Sequence, residues 1–356
     1  MGWNSRTAAR IVVAAGVVCL GACESRETVE TRRFEGPTMG TTYHVTVPGV
    51  RGEADARRVQ GCIDRTLGAV DRHLSTYARD SEISALNGNA STDWIPVSNA
   101  LVAVVAAAQR VSTETGGAFD ITVAPLVRLW GFGVGATGSG NARPYEPPSL
   151  EFVHDAMANV GYSWLEVRLQ PEPAVRRGKV PLELDVDGIA PGYAVDRASS
   201  CLAHAGFASH LVEIGGEVRA AGRRGDGQPW RVAIESPVME PRQAYAGLEL
   251  SDLAISTSGN YRDFRRLPDG RLVSHTIDPR TGEPIRHALA SVTVVHSRAT
   301  LADAYATALM VLGPEEGLAL AERLGLPALF LERIGQSQAL RERTTPAFNE
   351  LRRPIQ

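Results

Sequence analysis

Lysine is almost missing from this chain. Lys179 is the single example, and arginine carries the rest of the positive charge. A mechanism that relies on a lysine amine therefore has one candidate. Aromatic residues make up only 6% of the 356 positions, so the core must be built mainly from aliphatic side chains. No block of basic residues occurs and the formal net charge is −3, which gives nucleic-acid binding little electrostatic support. Short tandem repeats and heptads are absent, which argues against a solenoid or a coiled coil. What remains is 44% hydrophobic and 22% charged, the composition of a folded globular protein with one large domain or two of ordinary size.

The first residues read as a targeting segment. "MGWNSRTAARIVVAAGVVCLGAC" begins with Arg6 and Arg10, continues with an apolar run, and ends in Leu20-Gly21-Ala22-Cys23. The run is short for a transmembrane helix. Leu-Gly-Ala-Cys resembles a bacterial lipobox, which predicts a signal peptide over 1–22, cleavage before Cys23 and acylation of its thiol. An ordinary secretory signal or a single anchor helix are the alternatives. A polar tether over 23–33 would follow, then a domain over 34–340 and a C-terminal tail over 341–356. The expected location is the periplasmic face of a bacterial membrane, the inner membrane first. Glu24 is not the Asp commonly linked to inner-membrane retention, so the choice of membrane stays open. Cys62 and Cys201 are the only thiols beyond Cys23. They are either one disulfide or two buried thiols, and the sequence does not distinguish these.

Periodicity sets out the elements. "TTYHVTVPG" (41–49) alternates like a strand. Residues 51–75 form an amphipathic helical pattern with Val59, Ile63, Leu67, Val70 and Leu74 on one stripe. Ser98 is placed to cap a second helix that ends near Gly116-Gly117. Residues 133–149 read as a mobile Gly/Pro/Ser loop. "LEFVHDAMANVG" predicts a helix, and "WLEVRLQ" and "VPLELDVDGIA" predict strands. "GYAVDRASSCLAHAG" predicts a helix leading into the strand "HLVEIGGEVRAAG". A helix over 301–312 precedes "GPEEGLALAERLG", with Pro314 suited to a first turn, and "PALFLER" is a strand. The fold class is α+β, with helices laid on antiparallel strands.

Four stretches bring glycine, small residues and oxygen ligands together. "TGGAFDITVAPLVRLWGFG" (115–133) places Asp120 after a glycine pair that lets backbone approach a ligand, although a helix C-cap and turn would look the same. "LDVDGIAPGYAVD" (184–196) delivers Asp185 and Asp187 into a glycine-bearing turn whose N–H groups and carbonyls suit phosphate or a cation. "AISTSGNYRDF" (254–264) offers Ser256, Thr257 and Ser258 as a polar, hairpin-like tip. "SHTIDPRTGEPI" (274–285) sets His275 before a tight turn at Pro279 and Gly282. In the helix "LADAYATALMVLG", Asp303 and Thr307 are four apart and share a face. Thr300 and Asp303 have capping-box spacing, which explains the acid without any ligand. Capping does not explain Thr307, and a hard cation such as Mg²⁺ would use both oxygens.

Together these stretches, with "TMGTTYHV", "VDRHLSTYARDSEISALN" and "LVEIGGEVRAAG", resemble the ApbE family of FAD:protein FMN transferases from about Phe34 to about Leu331. The resemblance implies an α+β tandem of two T-fold-like halves with FAD in the cleft between them. It implies flavin contacts at Met39, Tyr77, Ala118, Phe119, Asp120, Asp185 and Ile277. Asp303, Thr307 and the backbone carbonyl of Gly188 match the Mg²⁺ ligands, and Gly215 and Gly216 would keep a strand turn open near the cofactor. One departure stands out. The family often reads "GIAKGYAVD", and Pro191 replaces that lysine here, in the FAD site. Arg280 is the candidate substitute cation.

The implied reaction carries the FMN part of FAD, as substrate, to a Ser or Thr hydroxyl of a redox protein, with Mg²⁺ as cofactor and AMP released. His275 is the candidate base. The implied acceptors are periplasm-facing subunits of Na⁺-translocating NADH:quinone oxidoreductase or Rnf-type complexes. Rival readings are a Mg²⁺-dependent FAD pyrophosphatase using the same site with water, and a flavin-binding lipoprotein that has lost catalysis at Pro191.

Overall fold

The computed structural model describes residues 30–133, 146–237, 243–260, 264–266, 272–335 and 339–353. In chain order the strands are β1 (Thr31–Thr38), β2 (Thr41–Pro48), β3 (Ile95–Pro96), β4 (Leu165–Arg168), β5 (Ala174–Arg177), β6 (His210–Ile214), β7 (Glu217–Ala221), β8 (Trp230–Glu235) and β9 (Ala244–Leu250). They continue as β10 (Leu253–Gly259), β11 (Phe264–Arg266), β12 (Leu272–Ser274), β13 (Ile277–Asp278), β14 (Glu283–Pro284), β15 (Leu289–His296), β16 (Ala328–Arg333), β17 (Leu340–Thr344) and β18 (Arg352–Arg353). The helices are α1 (Gly52–Leu74), α2 (Glu82–Gly88), α3 (Asn99–Glu114), α4 (Ala124–Leu129), α5 (Leu150–Met157), α6 (Ala190–His204), α7 (Ala299–Arg323) and α8 (Pro346–Leu351).

An eight-stranded sheet in the order β1-β2-β6-β7-β10-β15-β16-β17 is the frame. Every neighbouring pair in it is antiparallel. The order exposes a repeat. β1, β2, α1, α6, β6 and β7 form a strand–strand–helix–helix–strand–strand unit, with α2 to α5 inserted between its helices. β10, β15, the two arms of α7, β16 and β17 repeat that order. The arms meet at Gly313 (φ 77°, ψ −174°), where Pro314 starts the second. The β7–β10 ladder joins the halves. It pairs only Leu253–Ile255 with Val218–Ala220, so the far end of β10 runs beyond its partner.

Helices α1, α3, α6 and α7 cover one face of the sheet and form the main core. The predicted α1 stripe of Val59, Ile63, Leu67, Val70 and Leu74 is buried there. Residues Ala299–Tyr305 of α7 are buried on every side, as expected of a helix that is apolar all round. The other face carries a β18-β9-β8 sheet and a second core of Trp230, Leu248, Leu250, Leu331 and Phe348. A Cys62–Cys201 disulfide ties α1 to α6, resolving the question the thiols left open.

Several expectations change. Residues 31–33 of the expected tether belong to β1, where Arg32 pairs with Glu53 at 3.0 Å. Residues expected as a tail instead extend the fold. β17 pairs with β16, β18 pairs with β9, and Phe348 of α8 is fully buried. "VPLELDVDGIA" is extended but joins no ladder, because its backbone is satisfied elsewhere. The Asn87 amide bonds both the N–H and carbonyl of Leu184, at 2.8 and 2.9 Å, and Asp185 N–H donates to Ile121 O at 2.7 Å. Ser256, Thr257 and Ser258 lie within β10 rather than at a tip. The signal peptide, Cys23 and most of the loop over 133–149 lie outside the described residues. Among the described residues no helix is long and apolar enough to cross a membrane.

Candidate active site

A cleft of about 360 Å³ opens at the seam between the two halves. Four segments converge on it. The turn after α3 brings Ala118 to Ile121, with Gly116 and Gly117 at φ 60° and 81° reversing the chain as the glycine pair predicts. The extended stretch before α6 brings Asp185, Asp187 and Gly188. The overhanging end of β10 brings Thr257, Ser258 and Gly259, and the first arm of α7 brings Asp303, Thr307, Met310 and Val311. His275, Thr276, Ile277 and Phe132 complete the lining, with the His275 ring edge-on to Phe132 at 6.3 Å.

Acid is concentrated in the cleft. Asp303 is buried and accepts the Gly192 N–H at 2.9 Å through Oδ2. Burial holds its carboxyl well above the usual range, and the nearby Glu217 and Asp187 charges push the same way. Glu217, bonded by Ser256 Oγ at 3.2 Å, is pushed up to about 7, mainly by burial. Asp185 also rises to about 7 through burial and the charge of Asp187, whose N–H it accepts at 2.9 Å. Asp187 is raised by the crowding of the cleft walls and held by the Tyr77 hydroxyl at 3.3 Å. Several carboxyls that resist ionisation in one cleft suit a cation that relieves their repulsion.

The residues proposed for Mg²⁺ fit such an ion. Asp303, Thr307 and the Gly188 carbonyl are a set of hard oxygens. Thr307 Oγ1 is 3.2 Å from Ser258 Oγ. A Cβ on Gly188 would stand 3.0 Å from Thr307 Oγ1 and 3.3 Å from Phe119, so glycine keeps that space open. Among the described residues no three His, Cys, Asp or Glu side chains stand close enough to ligate one ion. A cation here would have to draw on hydroxyl, carbonyl and substrate oxygens as well.

Of the residues picked out in the sequence, Tyr77, Ala118, Phe119, Asp120, Asp185, Gly188, His275, Ile277, Asp303 and Thr307 all line this cleft. Met39 and Pro191 are not among the lining residues. Met39 sits in the β1–β2 turn with φ 43°, packed against the main core. Pro191 lies in the first turn of α6, where a missing N–H breaks no helical bond. Arg280, the candidate substitute cation, is not among the lining residues and is already engaged by acids. Its guanidinium is held by Asp278 at 2.8 Å and Glu316 at 3.5 Å. Gly215 and Gly216 form the β6–β7 turn at φ 66° and 114°, and Glu217 after them reaches the cleft. Both Asp120 oxygens are used internally, by Thr122 N–H and hydroxyl at 2.8 and 2.7 Å and by Tyr162 N–H at 2.7 Å, so this acid shapes the wall.

Asp187, Thr257 and Ser258, noted in the sequence without an assigned role, also line the cleft, whereas Glu217 and Phe132 were passed over. Asp187 stood beside a chosen acid. Glu217 carried no signal beyond the preceding glycines. The capping box is not formed either: Asp303 lies beyond the first turn of α7 and points to α6. A wider hollow of about 1380 Å³ lies between α1, α3 and α6, walled partly by Arg65, Arg197 and Arg298. It gathers none of the chosen site residues.

The sequence matches the ApbE family over residues 39–330. It is 40% identical to the FAD:protein FMN transferase of Vibrio cholerae serotype O1, across 90% of this chain and 92% of the relative. It is 36% identical to the FAD:protein FMN transferase of Escherichia coli K12, across 92% and 93%. Among solved structures, flavin transferase ApbE from Vibrio cholerae aligns with TM-score 0.79 at 38% identity, covering 91% of this chain and 99% of that one. The apo form of the Pseudomonas stutzeri flavinyl transferase ApbE aligns with TM-score 0.79 at 41% identity, covering 91% and 97%.

Proposed function

The chain belongs to the ApbE family, and on that premise we propose that it moves the FMN moiety of FAD onto a Ser or Thr hydroxyl of a target redox protein, releasing AMP. The observation that carries this reading is the gathering of ten chosen residues, from both halves of the chain, in one acidic cleft. Tyr77, Phe119, Phe132 and Ile277 supply apolar and aromatic walls for a flavin ring.

Mg²⁺ bound by Asp303, Thr307 and the Gly188 carbonyl would neutralise and orient the two phosphates of FAD. The chain's own groups do the rest. The cleft walls would hold the dinucleotide and leave its FMN phosphorus open to an acceptor hydroxyl. His275, in the cleft lining, takes the hydroxyl proton as the new P–O bond forms. The bond between the FMN phosphorus and the bridging oxygen breaks, and AMP departs with that oxygen.

Lipid attachment at Cys23, a periplasmic site of action and acceptor subunits of Na⁺-translocating NADH:quinone oxidoreductase or Rnf-type complexes belong to the same proposal. The disulfide between α1 and α6 supports an oxidising compartment. The test mixes the protein with FAD, Mg²⁺ and an acceptor subunit, then looks for UV-fluorescent acceptor on a denaturing gel. Wild type should label the acceptor, and Asp303→Ala should not. Free FMN with unlabelled acceptor would replace the transferase reading with a pyrophosphatase.

A further inference from the structure

Helix α7 carries the two side-chain ligands of the cation site, yet it does not cap itself. Its N-cap residue is Arg298, which gives no side-chain acceptor. The acceptor comes from α6. Asp196 Oδ1 takes the Ala299 N–H at 2.9 Å. Asp196 Oδ2 takes the Thr300 N–H at 2.9 Å and the Thr300 hydroxyl at 2.6 Å. These are the first two orphan donors of the helix, and a carboxylate there also meets the positive end of its dipole. Arg219 fixes the carboxylate from the sheet side, 3.3 Å from Oδ1, and also reaches the Ser297 carbonyl.

One turn earlier on α6, Gly192 faces the same helix. Its N–H donates to Asp303 Oδ2, and a Cβ there would collide with the Ala299 carbonyl and stand 2.8 Å from Asp303 Cβ. Gly192 and Asp196 are four apart and therefore share a face of α6. They clamp α7 at two levels, at its first turn and at the residue proposed to bind the cation. Because Asp196 satisfies the end of the helix, Asp303 has no capping duty and its carboxyl is left to the cleft.

We propose that Asp196 is a positioning residue for the cation site, acting through the start of α7 to set where Asp303 and Thr307 present their oxygens. This rests on the Mg²⁺ reading above. A partner that bonds a ligand directly commonly contributes about ten- to a hundredfold in metal affinity, and Asp196 acts one step further out, so its effect should lie at or below the low end of that range.

The experiment is calorimetric titration of Mg²⁺ into the full chain with FAD bound and no acceptor. Wild type, Asp196→Ala, Asp196→Asn, Thr300→Val and Asp303→Ala are compared. FAD affinity is measured separately without Mg²⁺. Asp196→Ala should raise the Mg²⁺ Kd several-fold, up to about tenfold, the low end for a direct partner of a ligand. Thr300→Val, which removes one bond to Asp196, should raise it less, and Asp196→Asn should recover part of the loss. FAD affinity without Mg²⁺ should not change, whereas a general loosening of the cleft would lower it. Should Asp196→Ala not fold, Thr300→Val decides, and an unchanged Kd overturns the assignment. Saturable binding by wild type, lost in Asp303→Ala but equal to wild type in the Asp196 and Thr300 variants, overturns the role of Asp196 alone. No saturable Mg²⁺ binding by wild type overturns the cation site and this inference with it.

Discussion

Gly192 and Asp303 touch across the crossing of α6 and α7, the glycine N–H donating to the carboxylate at 2.9 Å with no room for a side chain between them. A methyl group at residue 192 would press on the α7 backbone, which cannot move aside as a flexible side chain would. Gly192→Ala is expected to destabilise the protein by about 1–3 kcal/mol, the usual range for overpacking. It should also weaken Mg²⁺-dependent transfer beyond the loss in stability. Urea unfolding and turnover on the same preparation check both, and a variant with wild-type values in each would refute the tight crossing.

His275 lines the cleft against Phe132. If it takes the acceptor proton, His275→Ala should lower the transfer rate at saturating FAD by about 10²–10⁴. FAD binding should stay near wild type. A rate equal to wild type at saturation would remove it from proton transfer.

Glu217 releases its proton near 4.5 in the unfolded chain and near 7 in the folded one. Between those values the folded state holds the extra proton, so this group's contribution falls as pH rises across the window. Asp185, also raised to about 7, acts in the same direction. The protein without Mg²⁺ should melt at lower temperature at pH 8 than at pH 6, and Mg²⁺ with FAD should restore more at pH 8. Glu217→Gln should flatten the dependence. Melting curves at both pH values, with and without Mg²⁺ and FAD, decide this, and a slope unchanged in Glu217→Gln would clear that residue.

The Cys62–Cys201 bond spans 139 residues of sequence. Removing a disulfide commonly lowers stability by about 2–5 kcal/mol, and a long loop favours the upper part of that range. The double Cys62→Ser, Cys201→Ser variant should therefore unfold at clearly lower guanidinium concentration than the oxidised protein. Coincident midpoints would show that the bridge adds nothing.

Much of this was legible in the chain because it is local. The α1 stripe, the Ser98 cap, accepting from Leu101 N–H at 3.1 Å, and the left-handed Gly116-Gly117 turn are set by neighbours within a few residues. The motif residues of the cleft were legible through resemblance, which stands in for long-range geometry. The illegible parts depend on partners far along the chain. The stretch around Leu184 looks like a strand by alternation, yet the Asn87 side chain takes the bonds a ladder would make. Thr300 and Asp303 have the spacing of a capping box, but the donors at the start of α7 go to a carboxylate more than a hundred residues away. Arg280 looked available until the turn folded it onto Asp278. Glu217 has an ordinary strand-start sequence, and only the β7–β10 junction gives it a role.

The seam between the halves has a consequence for how such a protein can change. Gly188 and Asp187 belong to the first unit, whereas Asp303, Thr307 and Ser258 belong to the second. The span between them is set by how the two units pack, through the β7–β10 ladder and through the α6–α7 crossing. A substitution that alters the twist of one unit therefore rescales the distance across the cleft, even when it lies far from any ligand. A change confined to one unit is thereby felt at oxygens carried by the other.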